Sequence, residues 1–209
     1  MKKFITVVPY QVIGQLRSYV YQAVGNSRLQ MEDKVSFPIL TAVNGYLQPG
    51  EPAKVLALTP ETEDGQRNLE QLEEQLDGLC ARQGLEKPQV VRIPLTEGDQ
   101  VSAHVDAFQA LIDQVEDDDE LFACETYGTK PLSQAVMMAV QYAYRVKRNT
   151  SITCIVYGGV DRSQGRDPEC WVGYVYDETA LVQLDEIVRT LADRKVSDPR
   201  AVIRRILDL

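Results

Sequence analysis

Short β-branched runs alternate with longer amphipathic runs along this chain, and that alternation predicts parallel strands joined by crossover helices rather than by hairpins. The strand candidates are Phe4–Val8, Lys54–Leu58, Gln89–Ile93, Leu121–Cys124, Ile152–Tyr157 and Trp171–Tyr176. Between Arg67 and Gln83, the positions Leu69, Leu72, Leu76, Leu79 and Cys80 share one helical face, and Gly84 stops the helix. The same spacing recurs in Val101, Val105, Phe108, Leu111, Ile112 and Val115, and again in Leu181, Leu184, Ile187, Val188 and Leu191. Both runs predict surface helices over a sheet. In Pro131–Tyr144 the apolar residues Leu132, Ala135, Val136, Met137, Met138, Ala139, Val140 and Ala143 cover most of the circumference. That pattern predicts a helix buried on two sides, between the sheet and a neighbour or at a subunit interface. The whole reads as one doubly wound α/β domain, a mostly parallel sheet of about six strands with helices on both faces. Its ligand site belongs on the loops at the carboxyl ends of the strands.

The stretch from Tyr10 to Pro52 breaks this alternation. It holds one further strand candidate, Phe37–Val43, and a turn signal at Asn44-Gly45. It reads as a long excursion after the first strand, and excursions of this length are usually functional or partly ordered loops.

Composition narrows the class. A chain of 209 residues with 44% apolar content can bury one full core but is too short for two ordinary domains. The formal net charge of −9 argues against a DNA or RNA backbone as a non-specific partner, so an anionic ligand needs a local site. The apolar stretch after Met1, Lys2 and Lys3 is too short for a signal-peptide core, and no run approaches the roughly 20 apolar residues of a membrane helix. A soluble, cytoplasmic protein without membrane contact is the expectation. Cys80, Cys124, Cys154 and Cys170 show no CxxC spacing, which predicts reduced, mostly buried thiols and neither a zinc nor a redox motif.

The most informative segment reads LFACETYGTKP, from Leu121 to Pro131, where a buried strand meets a Gly-bearing turn and then a helix. Thr129 is positioned to cap that helix, Pro131 is tolerated in its first turn, and Gly128 permits close approach of backbone to ligand. Free N–H groups and the positive dipole end favour phosphate, Lys130 adds a full charge, and Tyr127 offers a face for a base. The same residues also make an efficient helix start with no ligand, and the sequence leaves both readings open. Two further loops are candidates: Pro9, Tyr10 and Gln11 after the first strand, and Gly158-Gly159 at the end of the fifth, with Arg162 and Arg166 beyond it. Neither GxGxxG nor GxxxxGK[ST] occurs, which disfavours dinucleotide cofactors and a P-loop. The acidic run Glu116–Glu120 reads as a solvated loop on the face opposite the site, rather than a magnesium site. His104 reads as a surface or packing residue, since no partner spacing makes it a triad member.

The segment ETYGTKPLSQAVMMAVQYAYR with the following ITCIVYGG resembles the CRISPR-associated Rossmann fold (CARF) proteins. The opening FITVVPYQ, the stretch FPILTAVNGYLQPGEPAKVLAL and the late VGYVYDETALVQLDEIV add to the likeness, which spans nearly the whole chain; TYGTKP is its distinctive block. The resemblance implies a Rossmann-like sensor domain over residues 1–176, closed by helices in residues 177–209. It implies a homodimer that binds cyclic tetra- or hexa-adenylate, the ring-shaped messenger of type III CRISPR antiviral signalling, and passes the signal to a separate effector chain. Pro9, Tyr10, Gln11, Thr126, Tyr127, Gly128, Thr129 and Lys130 would line the shared crevice, with Gly158 and Gly159 beside it, and the Pro131–Tyr144 helix would pack near the dimer axis. No arginine falls in the ten residues before His104, so the HEPN ribonuclease pattern common in the family is missing from this chain.

Two other functions remain open from the sequence. One is a metal-independent ring nuclease, in which the ribose 2′-hydroxyl attacks the adjacent phosphorus while Lys130 stabilises charge and Thr126 or Thr129 positions the phosphate. The other is an α/β protein for an unrelated mononucleotide. No metal or cofactor is expected in any of the three.

Overall fold

The structure, a computed structural model, describes residues 1–12, 14–96, 98, 100–163, 165 and 167–207. In chain order its elements are β1 (Lys2–Val7), β2 (Tyr19–Val24), β3 (Lys34–Val35), α1 (Ile39–Tyr46), β4 (Ala53–Pro60), α2 (Glu63–Gln83) and β5 (Gln89–Leu95). They continue with α3 (Val101–Ile112), β6 (Glu120–Cys124), α4 (Lys130–Val146), β7 (Ser151–Asp161), β8 (Val172–Asp177), α5 (Thr179–Asp193) and α6 (Pro199–Leu207).

The strands form one eight-stranded sheet in the order β3-β2-β8-β7-β6-β1-β4-β5. From β5 to β7 every neighbouring pair is parallel, and β1 is hydrogen-bonded to β4 on one edge and to β6 on the other. The sheet is therefore mixed and larger than the six mostly parallel strands that periodicity predicts. β8 runs antiparallel to β7; among the described residues of the 162–171 connection there is a 3-10 turn at Pro168–Cys170 and no crossover helix, which a parallel return would need. The remaining strands come from the excursion: β2 pairs parallel with β8, and β3 caps the edge antiparallel to β2. Residues 10–52 thus supply two strands and a helix in place of a largely irregular loop.

The helix among them corrects a second expectation. Residues 37–43 carry β-branched side chains, yet Ile39 to Val43 lie in α1, all of them buried, with Pro38 at the N-cap. A segment buried on every side gains nothing from the alternation that favours a strand, so tertiary packing overrides propensity here. Asn44-Gly45 lies inside that helix and is not a turn. Gly45 serves close approach instead: a Cβ there would stand 2.0 Å from the Arg28 carbonyl oxygen.

Both faces of the parallel strands are covered. Phe4, Val55, Ala57, Phe122, Cys124, Cys154 and Val156 pack with the buried faces of α1 and α2, while Ile5, Val7, Leu56, Leu58, Leu121, Ala123 and Ile155 pack beneath α3 and α4. The α2 helix starts earlier than its apolar spacing suggests, capped by the Thr62 hydroxyl, which accepts the Gly65 N–H at 3.0 Å, and it ends at left-handed Gly84. The α4 helix buries Leu132, Ala135, Val136, Ala139, Val140 and Ala143 against the sheet and α3, but leaves Met138 53% exposed. Its second apolar side is therefore only partly covered. After β8 the described residues form α5 and α6. Among the described residues no helix is long and apolar enough to cross a membrane. Cys80, Cys124 and Cys154 are buried free thiols, Cys170 is an exposed one, and His104 sits half-buried on α3.

The amino ends of β1 and β6 carry a buried ion network. Lys3, 2% exposed, donates to the Gln114 carbonyl at 2.9 Å and stands 3.6 Å from Asp119, also 2% exposed. Asp119 further accepts the Met1 ammonium at 3.1 Å and the Glu116 N–H at 2.8 Å. The acidic run is therefore not simply a solvated loop. Glu116, Asp117 and Asp118 do lie at the surface and bond the 148–150 loop, but Asp119 points inward because it is the counter-ion of a buried lysine. Removing one partner of such a pair strands the other in low dielectric, so Asp119→Ala is expected to destabilise the chain by about 3–5 kcal/mol in urea unfolding. The exposed Arg82–Asp33 pair provides the contrast, with Arg82→Ala costing less than about 1 kcal/mol.

Candidate functional site

The chain enters β5 by way of α2 on one face of the sheet and leaves it by way of α3 on the other, returning past β1 to pair β6 against β1's free edge. Strand order reverses at β1 and β6, and in open α/β sheets a ligand crevice opens outside the carboxyl ends of the strands at that point. Here the crevice is a cavity of ≈ 490 Å³. Gln11 reaches it from the loop after β1, Thr126 and Tyr127 from the loop after β6, Gly158 and Gly159 from β7. Arg17 and Tyr19 close it from the excursion, and Arg162 and Trp171 from the β7–β8 connection.

Buried polar contacts hold each wall in place. The Asn68 side chain, 2% exposed on α2, donates to the backbone carbonyls of Pro9 at 3.0 Å and Gln11 at 2.9 Å, fixing the path of the chain after β1. The Thr126 hydroxyl oxygen accepts the Gly158 N–H at 2.7 Å and the Cys124 thiol at 3.2 Å, stitching the β6 loop to β7. The Tyr127 hydroxyl donates to the Ser36 carbonyl at 2.5 Å, and its ring meets Phe37 edge-on with centroids 6.1 Å apart. Burial pushes the Tyr127 phenol far above its ordinary pKa, so it remains a donor throughout the working pH range. Ser36 is itself held by Gln71 and Gln75 of α2, whose amides donate to its hydroxyl at 2.9 and 3.1 Å. The excursion and the β6 loop are thereby one unit. Beside them, burial and the nearby Glu178 carboxylate raise the pKa of Glu125.

Of the residues singled out from sequence, Gln11, Thr126, Tyr127, Gly158 and Gly159 line the crevice; Pro9, Tyr10, Gly128, Thr129 and Lys130 do not. Thr129 occupies the N-cap of α4 with extended backbone, but its hydroxyl makes no capping bond and its buried oxygen has no partner among the described residues. Pro131 sits in the first turn as predicted. Gly128 adopts φ +99, and a Cβ there would stand 3.2 Å from both Val7 and Leu132. Its close approach is therefore to the chain's own core. Lys130 is exposed and forms no ion pair among the described residues. Tyr127 serves as an anchor pinned at its hydroxyl, a role that sequence reading did not assign to it. Arg166 lies outside the described residues.

Sequence reading passed over Arg17, Tyr19 and Trp171. The first two sit in the irregular excursion, where no periodicity marks a face, and Trp171 reads as the start of a strand. The available signal was the chain's single tryptophan in a polar loop that also carries arginines. A second cavity, ≈ 430 Å³, lies between α4, α5 and α6. Its walls are largely aliphatic, with Ile152 at the amino end of β7, so it is remote from the carboxyl ends of the parallel strands β1, β6 and β7. No group of three or more His, Cys, Asp or Glu side chains able to hold a metal ion occurs among the described residues.

Compared with models of known protein families and with curated proteins, the chain matches none.

The two β7 glycines differ in what they tolerate. A Cβ on Gly158 would stand 2.3 Å from Pro38 Cγ and 3.2 Å from Thr126 Oγ1, whereas one on Gly159 first meets Tyr176 at 3.4 Å. Gly158→Ala is expected to lower stability by about 1–3 kcal/mol, and Gly159→Ala to stay within about 1 kcal/mol. Thermal and urea unfolding of the two variants side by side checks the difference.

Proposed function

We propose that this chain is a sensor that binds cyclic oligoadenylate of four or six units, acting as a homodimer in type III CRISPR antiviral signalling and handing the signal to a separate effector chain. The observation that carries the reading is the crevice at the switch point. The loops after β1 and β6, which bear the resemblance to the CARF family, meet there at the end of the parallel part of a mixed sheet.

Chemistry supports it further. The protein is acidic overall, yet the crevice wall presents two guanidinium groups, hydroxyls and aromatic rings, the combination that suits ribose, phosphate and base. Its volume falls in the range of small-ligand sites but holds only part of an oligonucleotide ring. A two-fold arrangement lets each protomer take half of a two-fold ligand. Lys130, exposed at the start of α4 and in no ion pair among the described residues, is the residue that would have to reach a phosphate beyond the crevice rim. The cleavage reading requires Lys130, with either Thr126 or Thr129, to act on one phosphate. Of these only Thr126 borders the crevice, with its oxygen already accepting two hydrogen bonds, so binding is the reading adopted.

Incubation with labelled cyclic tetra- and hexa-adenylate, without added metal, tests the proposal. Intact ring is expected to be retained, and Lys130→Ala to weaken retention by about 1–3 kcal/mol. Retention of neither ring above that of linear oligoadenylate overturns the proposal, and linear product would establish the ring nuclease instead.

A further inference from the structure

Trp171 gathers two cations that the sequence keeps far apart. Arg17 precedes β2, while Arg162 and Trp171 bracket the β7–β8 connection; the parallel pairing of β2 with β8 brings them together. The guanidinium carbon of Arg17 stands 5.7 Å from the Trp171 ring centroid and that of Arg162 stands 4.7 Å away. The indole N–H donates to the Gly165 carbonyl at 3.0 Å, which fixes the ring.

Among the described residues, Arg17 and Arg162 form no ion pair and donate no side-chain hydrogen bond, whereas Arg82, Arg145 and Arg148 each reach a carboxylate within 3.4 Å. The nearest acid in sequence, Asp161, is engaged by the Ser163 N–H at 2.8 Å and the Ser163 hydroxyl at 3.0 Å. In a chain of net charge −9, two unpaired arginines converging on one ring repel each other, and an anion between them removes that repulsion. Stacking on an aromatic face also leaves the in-plane N–H donors of a guanidinium free for bidentate bonds to phosphate oxygens.

The place of this cluster narrows the ligand. Arg17, Tyr19 and Trp171 line both the crevice and a second groove of ≈ 360 Å³, which continues past Ser18 and Gln22 to Lys34 and also has Pro168 and Glu169 in its wall. Arg17 and Trp171 therefore stand where two grooves meet, with Arg162 on the crevice side of the ring. A mononucleotide would end there, but a phosphodiester link would lie at the junction with a nucleoside in each groove.

We propose that Arg17 and Arg162, ordered on Trp171, form a phosphodiester-binding site at the junction of the two grooves, so that the ligand of this crevice is an oligonucleotide and not a single mononucleotide. The site rests on the crevice being the ligand site proposed above but is independent of the ligand being a ring.

Trp171 is the only tryptophan, so its emission reports this wall directly. The full chain is titrated with adenylyl-3′,5′-adenosine, AMP and adenosine, binding being followed by calorimetry and by Trp171 emission. The dinucleotide is expected to bind at least about tenfold tighter than AMP and to change the emission saturably, with adenosine inert. Arg17→Ala and Arg162→Ala each weaken dinucleotide binding about tenfold, and the double variant about a hundredfold, at unchanged far-UV circular dichroism. Should a variant lose its fold, Arg17→Lys and Arg162→Lys keep the charge and lose the bidentate geometry, with an intermediate loss expected. AMP binding as tightly as the dinucleotide, an emission that ignores saturating dinucleotide, or unchanged affinity in the double variant overturns the site. Arginine-dependent dinucleotide binding without retention of cyclic tetra- or hexa-adenylate supports the site and removes the ring reading. Undiminished ring retention in the double variant does the reverse.

Discussion

The organisation of this protein depends on a single strand, β1. It is hydrogen-bonded along both edges and covered on both faces, with Phe4, Ile5 and Val7 buried among the two cores. A strand held on four sides cannot shift register without turning every side chain to the wrong core. The crossovers that build the sheet outward from it use opposite faces, and this is what opens a crevice beside its carboxyl end. At its amino end the buried Lys3–Asp119 pair ties it to the start of β6. Both ends of the same two strands are thus defined, one by charge and the other by the loops it releases.

Irregular backbone at the crevice is held by few but well-buried contacts. Asn68 grips two carbonyls of the β1 loop, Tyr127 binds the excursion at Ser36, and Thr126 accepts from β7. Each bond is worth only about 1 kcal/mol net, but losing a partner in a buried place costs about 1–3 kcal/mol, so these contacts select one loop conformation more than they add stability. A similar network, outside the crevice, ties the far ends of β2 and β8 together. Asn26 donates to Tyr46 and Asp177, and Asp177 in turn accepts from the N–H and hydroxyl of Thr179 at the start of α5. Walls held this way are prepared for a ligand before it arrives, which lowers the ordering cost of binding.

The charge distribution bears on selectivity. An acidic surface repels polyanions at long range, and that field is screened beyond about 8 Å at physiological salt. Guanidinium groups on Trp171 act at contact distance, where screening is weak. Only a ligand shaped to enter the grooves gains their attraction, so the proposed oligonucleotide is separated from bulk nucleic acid by geometry and not by affinity for phosphate alone.

Alternation of apolar runs was enough to read the parallel core: β1, β4, β5, β6 and β7 and their crossover helices fall where residues such as Leu69, Leu72, Leu121 and Ala135 say they should, because burial of one face leaves a periodic trace. The same signal, with the strand-order rule, located the end of the sheet where the crevice lies, and it drew out Gln11, Thr126, Tyr127, Gly158 and Gly159. Tertiary structure alone decided the rest. Ile39–Tyr46 became a helix because its first five residues are buried on every side, and β2 and β3 formed because an open edge at β8 accepted them. Arg17 met Trp171 only through that pairing. Periodicity records which face of a segment is covered; it carries no record of which distant segment covers it.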